Sequence, residues 1–348
     1  MDINSAVRFS LIRLSREFTA PGSIFSIYSL ATSFAVGFGA LTYIHWRRRS
    51  RVTMRVIARA ILSKRKLWLR PSSGADLQLF IVSVIFMPAI VGGLVVSGAT
   101  VATAVHAMLT GLFGPVTPVA SYTLSMKIFS TVVLFLAYEM GYWLDHYLKH
   151  RVPVLWEFHK LHHTADVLTP LTNFRNHPID NIVFGYMLAF SIGGAAGILE
   201  WLFNQRAETF VVDGKNILFI VFLWTIGHLQ HSQFWIPFRG VWGYLVLSPA
   251  HHQIHHSSDP AHYNRNLGSV LAVWDWAAGT LEIPTTKNPR LSFGADGAGP
   301  SPHSTAGIFV TPIVMAVLAL RPTLDALTQG CVALWNAASG RMRQQRHG

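Results

Sequence analysis

The stretch NIVFGYMLAFSIGGAAGILEWLF occupies residues 181–203 and indicates the fold class of this chain. Its only charged side chain is that of Glu200. An apolar run of this length matches a helix that crosses the hydrocarbon core of a bilayer. The whole chain agrees, because 51% of its 348 residues are hydrophobic and only 13% are charged. The sequence therefore predicts an integral membrane protein built from helices.

A second apolar run, Ile24–Trp46, ends against a strongly basic block. Ten of the 28 lysines and arginines of the chain lie within residues 47–70. A basic block beside a span is typical of the cytoplasmic side of a membrane, so we expect the N-terminus on the opposite side. Nucleic-acid binding is not expected, since the basic residues flank a span instead of covering a polar domain.

The remaining apolar runs predict further spans. Residues 77–126 contain no lysine, arginine, aspartate or glutamate, and we expect one span near residues 78–98 followed by a partly buried or interfacial piece. Further spans are expected near residues 122–144, 181–203 and 216–236. The last apolar run, residues 306–320, is short for a span and contains Pro312, so an interfacial or docked helix is expected there.

Together these runs predict an all-α fold, a polytopic transmembrane helix bundle of about four to five spans with a cytosolic histidine-rich helical cap. Residues 1–120 form a membrane anchor region with a basic cytoplasmic loop, residues 121–284 carry the histidines, and residues 285–348 contain a linker and membrane-associated amphipathic helices. The single cysteine, Cys331, excludes an intramolecular disulfide and a thiolate metal site. We expect a multi-pass protein of a bacterial inner membrane, with its histidines facing the cytoplasm.

The histidines form boxes at helical spacing. Residues three and four apart share one helix face, so we expect each box to direct two or three imidazoles at one point. Eight such imidazoles exceed the needs of one metal ion and predict two ions held close together. The boxes are DHYLKH with His146 and His150, HKLHH with His159, His162 and His163, and HQIHH with His252, His255 and His256.

Other polar residues are further candidates. His231 in HLQH is expected to complete a coordination sphere, and His228 and His177 are weaker candidates for the same role. Glu139 and Asp145 are expected to accept hydrogen bonds from ligand rings. The boxes alone leave open a metal-handling or transport protein and a zinc-dependent lipid hydrolase. Transport is disfavoured because the boxes lie outside the expected spans and the chain has no internal repeat.

Residues 138–280 resemble the fatty acid hydroxylase and sterol desaturase superfamily of membrane-bound, histidine-rich dimetal oxygenases. The resemblance is carried by DHYLKH, WEFHKLHH, NFRNHP, QHS, SPAHHQIHHSSDP and NRNLGSVLAVWDWAAGT in the family's order. It implies that residues 121–284 are the catalytic domain, and that Asn266, Gly268, Trp274 and Asp275 support the site from a closing motif. Tyr147 stands where an arginine is common, which leaves the subfamily open. The implied metal ligands are His146, His150, His159, His162, His163, His231, His252, His255 and His256.

The resemblance also implies a chemistry. Two Fe²⁺ ions, with O₂ as co-substrate, oxidise an unactivated C–H bond of a membrane lipid to an alcohol or an alkene, and hydroxylation is favoured. No catalytic group separate from the metal ligands is expected. The chain has no glycine fingerprint for a flavin or a nicotinamide, so an external electron donor is expected. This donor would be a separate electron-transfer protein, a ferredoxin or a cytochrome b5-like protein with its reductase. Fatty acyl, sphingoid, sterol, ether lipid and carotenoid substrates all remain open.

Overall fold

The computed structural model describes residues 3–47, 65–118, 121–295, 299–322, 325–326 and 328–329. Within these ranges the chain is helical, and the strands are limited to Val211–Val212 and Lys215–Asn216, which pair as a short antiparallel hairpin. Most of the basic block and Cys331 lie outside the described residues. The helices are α1 Ile3–Thr19, α2 Ile27–Arg47, α3 Pro71–Ile85, α4 Met87–Leu94, α5 Gly98–Phe113, α6 Leu124–Arg151, α7 Pro153–His163, α8 Pro178–Phe203, α9 Ile217–Gln230, α10 Val241–Leu245, α11 Pro249–His255, α12 Val273–Ala278 and α13 Thr305–Pro322.

Five helical segments are long and apolar enough to cross a membrane. This number, with the near absence of strands in the described part of the chain, confirms the predicted all-α membrane bundle. The histidines' cytoplasmic orientation stays a prediction. The five candidate spans are Ile27–Ile44, Met87–Phe113, Leu124–Arg151, Pro178–Phe203 and Thr305–Pro322.

The single span expected near residues 78–98 is instead divided between helices. Helix α3 ends at Ile85, and α4 begins with Pro88 in its first turn, where the missing N–H of proline is tolerated. A further break precedes α5, whose first turn is capped by the Ser97 hydroxyl accepting from the Thr100 amide at 3.0 Å. The candidate span runs from Met87 to Phe113. Residues 99–113 therefore belong to a candidate span by length and composition, and the expected interfacial placement stays a prediction.

The C-terminal helix α13 covers the expected run of residues 306–320 and, at 18 residues, is long enough to be a candidate span. It continues past Pro312 to residue 322, with one non-helical residue at Val310. Pro312 lies in the first turn after that interruption, where no backbone donor is lost. Ile308 is fully buried in a cluster with Ala75 and Leu79 of α3 and with Leu161 of α7. The C-terminal segment is thus packed directly behind a histidine-bearing helix.

Helices α5 and α8 pack closely through small residues. A Cβ added at Gly193 would lie 2.5 Å from the Gly98 carbonyl oxygen, and one at Gly197 would lie 2.5 Å from the Ala102 carbonyl oxygen. Glycines four residues apart let two helix backbones approach in a membrane, where van der Waals packing drives association. Gly193 and Gly197 therefore bring α8 against α5.

This contact yields a first prediction. Replacing Gly193 with leucine should force α5 and α8 apart and lower the free energy of unfolding by about 1–3 kcal/mol or more, because the backbone of α5 cannot yield as a flexible side chain would. Gly194→Leu is the matched control, since a Cβ there meets nothing within 4 Å. Thermal unfolding in detergent measures both variants. Equal melting temperatures would contradict the close packing.

Candidate metal centre

Four segments bring their histidines to one region, and the first box lies within the candidate span Leu124–Arg151 and not outside the spans as expected. Helix α6 carries the first box in its last turns, and α7 restarts with Pro153 after the extended residue Val152, which places the second box next to the first. Helix α11 carries the third box and is capped by the Ser248 side chain, which accepts from the His251 amide. His231 follows α9, whose backbone contains a π-helical turn at Leu223–Gly227.

The nine expected ligands form two groups, and within each group one ligand nitrogen from every histidine lies within 4.8 Å of the others. Eight of these side chains are at most 6% exposed, while His150 is half-buried. The first group is His146, His150, His159, His163 and His255, and the second is His162, His231, His252 and His256.

The two HxxHH boxes do not each point at one site, contrary to the expectation from spacing. His159 and His163 enter the first group, whereas His162 enters the second. In the third box, His255 enters the first group, whereas His252 and His256 enter the second. At 3.6 residues per turn, residues four apart differ by about 40° around the helix axis, but adjacent residues differ by about 100°. Each box can therefore serve two neighbouring sites.

The second group has the internal spacing of a coordination shell. The His231 Nε2 atom lies 2.9 Å from the His252 Nε2, 3.1 Å from the His256 Nε2 and 3.3 Å from the His162 Nε2. With metal–nitrogen bonds of about 2.1 Å, ligand nitrogens at octahedral or tetrahedral angles lie about 3.0–3.4 Å apart. The four nitrogens thus have the separations that ligands of one ion have.

The second ring nitrogen of several histidines fixes the tautomer. The Nδ1–H groups of His146 and His255 donate to the carbonyl oxygens of Leu267 at 2.7 Å and Arg265 at 2.9 Å. His231 donates from Nδ1 to the Asn173 side-chain oxygen at 3.0 Å. Each Nε2 then carries a lone pair directed into its group.

The first group contains buried ring nitrogens that have no hydrogen-bond partner. Unpaired buried polar atoms are rare and costly, so their convergence requires an explanation. A metal ion supplies one, because neutral imidazole suits iron, zinc, copper and nickel. The residues therefore fit a pair of metal ions, one in each group. The Nε2 atoms of His146, His150, His159, His163 and His255 are buried without a hydrogen-bond partner.

Burial also favours the neutral form of several of the grouped imidazoles. It lowers the pKa of His231 and the pKa of His255 to about 3. Burial, reinforced by neighbouring imidazoles, holds the pKa of His162, and likewise that of His256, well below the usual range. Ligation requires the deprotonated ring, so the nitrogens are available to a cation at neutral pH.

Two residues that the sequence reasoning missed contact candidate ligands directly. The Asp180 carboxylate lies 3.4 Å from the His159 Nδ1 atom, and Asn173 orients His231 as described above. Both belong to the segment NFRNHPID, which the motif analysis singled out only for His177. The Asp180 carboxylate, close to His177 in the sequence, was a signal that could have been used. The imidazole that it contacts, that of His159, is 21 residues away along the chain.

The closing motif holds the backbone that orients two rings. The Asp275 carboxylate accepts from the amides of Leu267 and Gly268, each at 2.8 Å. Glu139 accepts from the amides of Val270 at 3.1 Å and Leu271 at 2.7 Å. Neither carboxylate contacts an imidazole, so both act by fixing the loop whose carbonyl groups receive the Nδ1–H groups of the first group.

Three other candidates lie outside the two groups. Asp145 pairs with Lys149 at 2.6 Å, and Lys149 also pairs with Asp180 at 2.7 Å. His177 caps α8 by accepting from the Ile179 amide at 3.2 Å, and its Nε2–H donates to the Phe309 carbonyl. The Nε2 atom of His228 is hydrogen-bonded to the Ile24 carbonyl. His177 thus connects α8 with α13, and His228 connects α9 with the segment before α2.

Two cavities meet the histidines from different sides. The aromatic cavity, of 570 Å³, is lined by His146, His159, His162, His231 and His252 and extends past Tyr138, Phe184, Phe219 and Phe222 to Met87, Pro88 and Val91 of α4. The polar cavity, of 590 Å³, is lined by His150, His163, His255 and His256 together with Arg151, Trp156, Lys160, Tyr263 and Asn264. No histidine lines both cavities.

Comparison with known proteins finds similar sequences for this region. Residues 131–280, which include all nine grouped histidines, match the family model "Fatty acid hydroxylase". The chain is 24% identical over 168 residues to the alkylglycerol monooxygenase of Homo sapiens, covering 46% of this chain and 32% of that protein. It is 29% identical over 160 residues to the ornithine lipid hydroxylase OlsE of Rhizobium tropici, covering 45% and 43%. The match thus spans less than half the length of these relatives, and no solved structure matches the chain significantly.

Proposed function

We propose, from the match of residues 131–280 to the fatty acid hydroxylase family model, that this protein is an O₂-dependent di-iron oxidoreductase that hydroxylates a C–H bond of a membrane lipid. The observation that carries the proposal is the convergence of nine imidazoles, eight of them buried, into two groups. Oxidation of an aliphatic C–H bond needs a metal that changes oxidation state, which favours iron over zinc. When bound, such ions supply the redox chemistry for O₂ reduction and C–H oxidation.

The aromatic cavity supports a lipid substrate. It reaches the histidines at one end, and at the other it meets the exposed Pro88 beside the partly exposed Val91 and Phe184, residues of two candidate spans. An amphiphile could enter this end from the bilayer with its chain against Phe219 and Phe222. The apolar wall would hold the alkyl chain and exclude water from the reacting carbon.

The proposed reaction requires reducing equivalents from outside the chain. One atom of O₂ enters the C–H bond and the other leaves as water, so two electrons and two protons must be supplied. The sequence contains no flavin or nicotinamide fingerprint, and we propose a separate electron-transfer protein as the donor. Both named relatives are lipid hydroxylases or monooxygenases by title, which favours hydroxylation over desaturation.

Comparative lipidomics tests this function and names the substrate. A host that expresses the native chain with O₂ should accumulate a lipid that has gained one oxygen atom. A host that expresses His255→Ala should lose at least about 99% of that product. Loss of a residue that only hydrogen-bonds to a metal ligand lowers activity about 10- to 100-fold, and loss of the ligand itself should lower it further. Growth without O₂ should abolish the product in the native strain as well.

The same experiment separates the alternatives. The four cultures express the native chain or His255→Ala, each with and without O₂. A lipid change that persists without O₂ would point to a hydrolase, and unchanged lipids in all four cultures would contradict an oxygenase. Iron analysis of the purified protein accompanies the lipid measurement, because two iron ions per native chain are expected. Supplying a reduced donor in vitro controls for a host that lacks one.

A further inference from the structure

The division of the histidines between two cavities gives the centre two chemically different sides. The aromatic cavity ends among apolar side chains of candidate spans. The aromatic cavity also carries the buried residues Asp145, Lys149 and Asp180, which are paired through the lysine, whereas the polar cavity is bordered by the exposed Arg151 and by Lys160, with the exposed Tyr263 at its edge. A soluble partner can approach the second side, whereas the first suits a lipid chain.

Trp156 lines the polar cavity next to histidines of the first group. Its ring centroid lies 5.1 Å from that of His150, 5.4 Å from that of His163 and 6.4 Å from that of His159. The indole is partly exposed and lines the cavity. Among aromatic residues other than histidine, Tyr142 also lies against a ring of this group, 5.7 Å from His146, but it lines the aromatic cavity.

We propose that the polar cavity is the side on which an electron-transfer protein docks, and that electrons reach the metal centre through Trp156. This inference rests on the proposed function. Each transfer oxidises the donor by one electron and reduces one metal ion by one electron, and no covalent bond to the protein forms or breaks. Two transfers supply the electrons that one hydroxylation consumes.

The placement has a physical reason. Electron tunnelling weakens steeply with distance, and an indole in contact with two ligand rings shortens the gap between a docked donor and the ions. Entry from the aromatic cavity would require the donor to share that space with the substrate. Docking above the polar cavity lets a donor approach while a lipid stays bound on the other side.

Flash photoreduction tests the route without knowledge of the natural donor. A ruthenium bipyridyl photoreductant is attached to Val152→Cys, an exposed position at the polar cavity, in a Cys331→Ser background. The iron-loaded protein is held in nanodiscs without O₂, and the loss of ferric absorbance is followed after a laser flash. Trp156→Leu should slow this reduction at least tenfold, and Trp156→Phe should retain most of the native rate.

The control is Trp201→Leu, because Trp201 is also partly buried but lies at the far end of α8, 21 residues beyond Asp180 and about 30 Å along the helix. Its reduction rate should equal the native rate. Equal rates in Trp156→Leu and the native chain would overturn the proposal, as would loss of iron from both Trp156 variants, which would show a structural role. Tryptophan-dependent reduction without lipid oxidation would instead reject the proposed function and leave the electron route intact.

Discussion

Replacing His231 with alanine is expected to remove one of two bound iron ions and to reduce lipid oxidation at least about 100-fold. The Nε2 atom of His231 lies within 3.3 Å of three other imidazole nitrogens, so its loss opens the four-membered group. The five-membered group shares no residue with it and should keep its ion. Elemental analysis of the purified variant, scaled to protein concentration, measures the ratio directly.

His228→Ala is the matched control for this change. His228 lies three residues earlier and is equally buried, at 4% exposure, but it belongs to neither group and is hydrogen-bonded to a carbonyl of the segment before α2. It should retain both ions. Two ions in His231→Ala would exclude this residue as a ligand, and loss of both would show that the groups cannot bind independently.

Replacing Arg175 with methionine should lower the free energy of unfolding by about 3–5 kcal/mol, because it leaves a buried carboxylate without its partner. Arg175 is fully buried and pairs with Asp76 at 2.8 Å. Its guanidinium also donates to the Leu161 carbonyl oxygen at 2.9 Å and to the Thr164 hydroxyl at 2.9 Å. The change therefore also loosens the C-terminal end of α7, and iron content should fall with stability.

Two further variants make this result specific. Asp76→Asn in the Arg175→Met background should recover part of the lost stability, since no buried charge then remains unpaired. Arg70→Ala breaks the exposed pair with Asp166, whose side chains are 50% and 40% exposed, and should cost less than about 1 kcal/mol. Thermal unfolding in one detergent compares all of them. A loss in Arg175→Met no larger than that in Arg70→Ala would contradict the proposed role of the buried pair.

Much of the fold was predictable because a bilayer imposes simple requirements on sequence. Helices α6 and α8 were anticipated from their apolar runs, since a spanning helix satisfies its backbone internally whatever its neighbours are. The segment around Pro88 was less predictable. Long apolar runs do not show where a helix ends, and the interruptions between α3, α4 and α5 depend on a proline and a serine cap.

The candidate ligands follow from local geometry, but their partners do not. Spacings of three and four residues predicted which imidazoles share a helix face, and the structure gathers all nine expected residues. Spacing did not reveal that His162 and His163 serve different groups. It also missed Asn173 and Asp180, because these contacts join segments separated by 58 and 21 residues.

The sequence by itself determined that this chain is a helical membrane protein with a histidine-rich centre, because hydrophobic length and helical periodicity are properties of neighbouring residues. Only the tertiary structure decided how the imidazoles divide into two groups and which cavity each group meets. That decision depends on how α6, α7 and α11 approach one another. Their approach is fixed by distant contacts such as Arg175 with Asp76 and Glu139 with the Val270 amide, which no local pattern encodes.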